Sequence, residues 1–106
     1  MAKKKHKKIF KKGFRKNTKT KHPAYTYSYQ NEKIQYVSIT HSNKMQGVIP
    51  LSKNPNPDED RQSYILPDPY EDNPKNFSRR YKNWKFSEKD KDKVRSVMKK
   101  PVKKNK

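Results

Sequence analysis

The sequence predicts an α+β fold: a small antiparallel sheet or partly open barrel of four to five short strands with one C-terminal helix, flanked by disordered basic tails. Three observations predict it. Charge is sorted along the chain. Residues 1–21 hold ten Lys, one Arg and no acid; residues 99–106 hold five Lys and no acid; the 77 residues between them carry 13 basic and 10 acidic side chains. Tyrosines alternate at 25, 27 and 29, followed by a polar connector of hairpin length and a second run rich in β-branched residues. Finally, Ser87 with Asp90 three positions on opens a stretch whose Val94, Val97 and Met98 share a helical stripe.

These boundaries divide the chain into a disordered Lys-rich arm (1–21), a small α+β domain (22–98) and a basic C-terminal tail (99–106). Hydrophobic residues are 27% of the chain, well under the roughly 45–50% apolar content of a globular protein. The deficit lies mainly in the tails, because the centre holds 22 large apolar or aromatic side chains. That is enough for one small core. With no cysteine in the chain, a disulfide scaffold and a thiolate metal site are excluded. No apolar run approaches the length of a membrane span, and the basic N-terminus lacks the apolar stretch of a signal peptide. The expected location is cytoplasmic, associated with the nucleoid or a ribonucleoprotein.

Each element has its own signal. His22-Pro23 ends the arm in extended geometry. Ala24–Tyr29 reads as a strand with its tyrosines on one face, and Gln30–Lys33 as the connector. Ile34–Thr40 is the returning strand. Residues 41–47 are a loop. Val48–Leu51 is a short third strand, placed at an edge because Pro50 has no amide proton to donate. Two Asn-Pro steps mark 52–60 as turns. Gln62–Leu66 is a fourth strand, and 67–76 an irregular acidic loop. Ser87 caps a helix over 88–99, with acids near its start, lysines at its end and Pro101 as the stop.

The side chains with chemistry are mostly cations and aromatics. Phe77–Phe86 interleaves Arg79, Arg80, Lys82 and Lys85 with Phe77, Tyr81, Trp84 and Phe86. Cations there can meet phosphates while rings stack on bases, although Trp84 and Phe86 also alternate as core-anchoring strand residues would. The tyrosine row fits the half-buried face of a hairpin or, alternatively, a stacking platform. Cations along the helix are offset by Glu88, Asp90 and Asp92, which reads as a solvated salt-bridged face. Lys outnumbers Arg 24 to 5, so the few planar guanidinium forks are the more informative cations.

Catalytic chemistry has weak support. His22 and His41 bracket the hairpin, and antiparallel pairing could bring them together beside Arg61 and Tyr64 for acid–base cleavage of RNA. The acids Asp58–Asp60 and Asp68, Glu71 and Asp72 lie in Pro-rich loops without nuclease spacing, and are expected to offset the basic tails. Two glycines in the whole chain rule out a Gly-rich phosphate loop. No catalytic residue, metal or cofactor is expected.

The segments His22-Pro-Ala-Tyr25, Ile39-Thr-His-Ser42 and Ile49–Pro57 resemble a block in small basic proteins carried by mobile elements of AT-rich bacteria. The resemblance spans 22–86 and implies no activity. The expectation is a small non-enzymatic nucleic-acid-binding protein, DNA or RNA, largely sequence-independent. Its candidate contacts are Lys7, Lys8, Lys11, Lys12, Arg15 and Lys16 in the arm, with Arg79, Arg80, Tyr81, Lys82 and Lys85 in the centre. The alternatives are a protein-interaction or inhibitor module engaging an acidic protein or ribonucleoprotein, and a compact endoribonuclease that resembles the toxin endoribonucleases in size and predicted layout.

Overall fold

The computed structural model describes residues 10–104 of the chain. Its centre is a hairpin of β2 (Pro23–Gln30) and β3 (Lys33–Thr40). Asn31 and Glu32 join the strands, both with positive φ (53° and 64°). A two-residue connection of that kind matches the right-handed twist of the strands it links. Tyr25 pairs with Val37 and Ala24 with Ser38, and an irregularity between Thr26 and Ser28 shifts the register beyond them.

The sheet begins inside the segment expected to be a disordered arm. Gly13–Lys16 forms β1, antiparallel to β2, with Phe14 opposite Tyr25. Phe14 is buried in the core, and Asn17 just beyond the strand is fully buried. One ring and one amide therefore fix a stretch that its lysines alone would leave in solvent. Residues 1–9, with the arm's candidates Lys7 and Lys8, lie outside the described residues, as do 105 and 106.

Along its other side β3 is paired twice. Its first half meets β6 (Tyr70–Asp72) and its last two residues meet β5 (Tyr64–Ile65), which also pairs with β4 (Ile49–Pro50). β6 lies where the sequence predicted an irregular loop, because Tyr70, Glu71 and Asp72 complete the ladder of Tyr36, Gln35 and Ile34. A last short strand, β7 (Lys103–Lys104), runs parallel to β6. Its Lys103 amide donates to the Pro69 carbonyl at 2.9 Å, and its ammonium pairs with Asp68 at 3.0 Å, so this part of the C-terminal tail is also tied down. The described sheet thus has seven short strands, more than the four to five expected. Its main path β1-β2-β3-β5-β4 is not closed into a barrel.

Helix α1 (Glu88–Met98) starts at Ser87, whose hydroxyl accepts from the Asp90 amide. Asp90 departs from a capping box. Its fully buried carboxylate is turned to the loop after β4, accepting from the Ser52 amide at 2.8 and 3.0 Å and the Lys53 amide at 3.2 Å. α1 lays Val94 and Val97 on one face of the sheet, against Phe14, Val37, Ile39, Leu51, Ile65 and Phe86. On the opposite face Ala24, Thr26, Tyr36 and Ser38 are buried too, with the Tyr36 ring edge-on to Phe77 at 5.3 Å.

Candidate nucleic-acid interface

Three segments far apart in sequence meet beside β1. Residues 76–81 run along its outer edge: the Thr18 amide donates to the Asn76 carbonyl (2.8 Å), the Ser78 amide to the Lys16 carbonyl (3.0 Å) and the Tyr81 amide to the Phe14 carbonyl (2.7 Å). The chain then turns through Asn83, whose φ of 65° is left-handed, and enters the core at Phe86. Trp84 and Phe86 both pack on the core, as their alternation suggested, and the turn brings Tyr81 onto Trp84, with ring centroids 4.5 Å apart and planes at 25°. Trp84 packs against Phe14 (5.7 Å), and Phe14 against Phe86 (4.8 Å) and Tyr25 (5.1 Å).

This aromatic cluster is the floor of a groove of about 490 Å³. Val94 and Met98 of α1 complete the floor, while Lys12, Arg80, Lys85, Lys91 and Arg95 form the rim. Gly13 lets Arg80 lie close to β1: a Cβ at this position would come within 2.5 Å of the Arg80 Cδ. The helix side of the rim is partly neutralised. Lys91 pairs with Glu88 at 2.8 Å and Arg95 with Asp92 at 2.5 Å. Lys91 holds the Glu88 carboxyl below its ordinary range. All four side chains are exposed, and exposed pairs of this kind are weak enough for a phosphate to displace the carboxylate. Burial pushes the Tyr25 and Tyr81 hydroxyls up, with Lys91 partly opposing it at Tyr25. Both therefore stay neutral near pH 7, where they can donate hydrogen bonds.

Of the sequence candidates, Lys12, Arg80, Tyr81 and Lys85 converge on this groove. Lys11, Lys16, Arg79 and Lys82 are exposed outside it. Arg15 is committed elsewhere: it donates to the Thr26 hydroxyl (3.0 Å) and the Lys11 carbonyl (2.6 Å), and lies over the Phe10 ring. The tyrosine row splits. Tyr25 and Tyr27 pack against the core, while exposed Tyr29 stacks near Phe10 at 6.3 Å. Lys91 and Arg95 were not among the candidates. Their signal was present, since 91, 94, 95 and 98 make one helical stripe, but the neighbouring acids gave it the look of a solvated face.

The two histidines are separated. His22 lines a second cleft, of about 460 Å³, on the opposite sheet face with Ser38, Thr40, Tyr36 and Tyr70. His41 instead lies 3.3 Å from the Asn54 amide nitrogen, which also donates to the Arg61 carbonyl. The Arg61 guanidinium pairs with Glu59, and Arg61, then more weakly His41, lowers the Glu59 carboxyl. Among the acids, Asp68 holds the tail residue Lys103, whereas buried Asp72 accepts from Asn17 and Asn76 inside the fold. No cluster of three or more His, Asp or Glu side chains suited to a metal ion occurs among the described residues. No helix among them is long and apolar enough to cross a membrane. No protein-family model matches the chain, and no curated protein or solved structure is significantly similar to it.

Proposed function

We propose that this chain is a non-enzymatic nucleic-acid-binding protein, with the groove taking the strand and the Lys-rich arm adding sequence-independent affinity. One observation carries the reading: β1, the 80–86 loop and α1 bring five cations around an aromatic floor. Cations matched to phosphates and rings matched to bases are the two components of sequence-tolerant nucleic-acid binding. We likewise propose a cytoplasmic location, associated with the nucleoid or a ribonucleoprotein.

Trp84 is the only tryptophan, so its fluorescence reports the groove directly. Titration of the full chain with DNA or RNA should quench it. If all five rim cations engage phosphates, log K should fall with log salt with a slope of about −3.5 for a single strand, and more steeply as arm lysines join. Charge reversal at Arg80 and Lys85 should weaken binding far more than reversal at Lys44 and Lys53, which lie outside the groove. A flat salt response, or binding that leaves Trp84 unchanged, refutes the reading.

The loop cluster of His41, Asn54, Glu59 and Arg61 favours one rival, acid–base cleavage of RNA. His22 has no part in it. Cleavage of a single-stranded RNA by the full chain, abolished in His41→Ala, would replace the binding reading.

A further inference from the structure

Resting on the nucleic-acid reading, we infer that the ligand of the groove is single-stranded, with an unpaired base stacking on Tyr81 and its flanking phosphates on the rim cations. Phe14, Trp84 and Tyr81 form a column of rings at successive centroid distances of 5.7 and 4.5 Å, tilted by 46° at the first step and by 25° at the second. The last pair is close to parallel, and among the described residues no further ring covers Tyr81. A base is the natural next member of that column, because every base has a π face and stacking on an aromatic ring is sequence-tolerant. In a duplex those faces are occupied by neighbouring base pairs, and exposing one costs a few kcal/mol.

The rim fits the same ligand. Arg80 and Lys85 flank Tyr81 within its own loop, while Lys91 and Arg95 stand on α1 across the floor. Cations on two sides of a ring floor suit a strand whose bases face inward and whose backbone follows the rim. At about 490 Å³ the groove is the size of a small-ligand pocket, enough to seat an unpaired base. The exposed face of α1 carries Glu88 and Asp92, paired with Lys91 and Arg95, and carboxylates there disfavour laying the helix along a duplex backbone.

The test uses the full chain at fixed salt with four probes of equal phosphate count: single-stranded DNA and single-stranded RNA of about 24 nucleotides, and DNA and RNA hairpin duplexes of the same total nucleotide count. Both single strands, or one of them, should bind at least several-fold more tightly than either duplex. Tyr81→Leu keeps apolar volume over Trp84 and removes the stacking face. It should lower single-strand affinity on the order of tenfold and leave duplex affinity unchanged. Tyr81→Trp should restore single-strand binding, which a purely structural role for Tyr81 does not predict. Duplex preference, or equal loss on all four probes in Tyr81→Leu, overturns the single-strand inference while leaving nucleic-acid binding in place. Absence of binding to every probe overturns the underlying reading itself.

Discussion

Replacing Asp90 tests how the helix side of the groove is held. This carboxylate has no solvent exposure, and it joins α1 to the loop after β4 through the Ser52 and Lys53 amides. In Asp90→Asn one carboxylate oxygen becomes an NH₂ facing an amide donor, so one charge-assisted bond is lost and one buried N–H is left facing another donor. The expected cost is about 2–3 kcal/mol, and Asp90→Ala, which removes both acceptors, should cost about 3–5 kcal/mol. Against a total stability of about 5–15 kcal/mol for a domain this size, either is a large loss. The contact of Asp90 with Lys93 at 3.4 Å adds little, because the lysine is partly exposed. Urea unfolding followed by Trp84 fluorescence reads the change. With a slope near 1 kcal/mol/M, the Asn variant's midpoint should fall by about 2 M. Burial raises the Asp90 carboxyl, but the Ser52 and Lys53 amides and the Ser87 hydroxyl outweigh it, leaving it below its ordinary value. A carboxyl depressed in the folded state contributes its stability above its unfolded value, about 3.9, and loses it as pH falls through the folded value. The wild-type chain should therefore lose stability in that acid window with a slope that Asp90→Asn lacks. A destabilisation under about 0.5 kcal/mol, no larger than a surface substitution gives, would refute the argument.

Two further outcomes follow from contacts around the groove. Neutralising both helix acids, Glu88→Gln with Asp92→Asn, frees Lys91 and Arg95 from their exposed partners. It should raise nucleic-acid affinity about two- to fivefold at low salt, with the gain fading at high salt; fluorescence titration at two ionic strengths checks this. Asn17→Ala removes a buried amide that donates to Asp72 at 3.1 Å and accepts from the Lys19 and Thr20 amides at 2.9 and 3.0 Å. A loss of about 2–3 kcal/mol should lower the thermal midpoint by roughly 10–20 °C, and a shift of only a degree or two would show that the arm's end is not anchored there.

The hairpin and the helix were legible because their signals are local. Alternation over Ala24–Tyr29, the connector beyond it, the Ser87 cap and the Val94/Val97 spacing each sit within a few residues. β1 was hidden because a four-residue strand with one apolar side chain, Phe14, lies inside a run of cations. Only its partner across the register, Tyr25, explains why it folds back. β6 was hidden for a related reason: Tyr70–Asp72 has prolines on both sides, and its ladder partner is more than thirty residues away. At the groove, interleaved cations and rings pointed to Arg80, Tyr81 and Lys85. The turn at Asn83, which sends Tyr81 and Trp84 the same way, was not legible from alternation. Antiparallel pairing left open a meeting of His22 and His41 across the hairpin. They do not meet, because Thr40 faces the second cleft with His22 while His41 reaches Asn54.

The segment that runs along the outer edge of β1 also fixes when during synthesis the groove can exist. Lys12, Gly13, Phe14 and Tyr25 emerge early, but every other lining residue lies between Arg80 and Met98. The hydrogen bonds that cover the β1 edge join residues more than fifty positions apart. Contacts of such long sequence separation form late in folding, after the local hairpin. A nascent chain therefore carries its cationic N-terminus long before it has an aromatic floor. On the proposed nucleic-acid reading, ribosome-bound intermediates would hold polyanions only through charge, and stacking would become available once residues 80–98 have been made and docked.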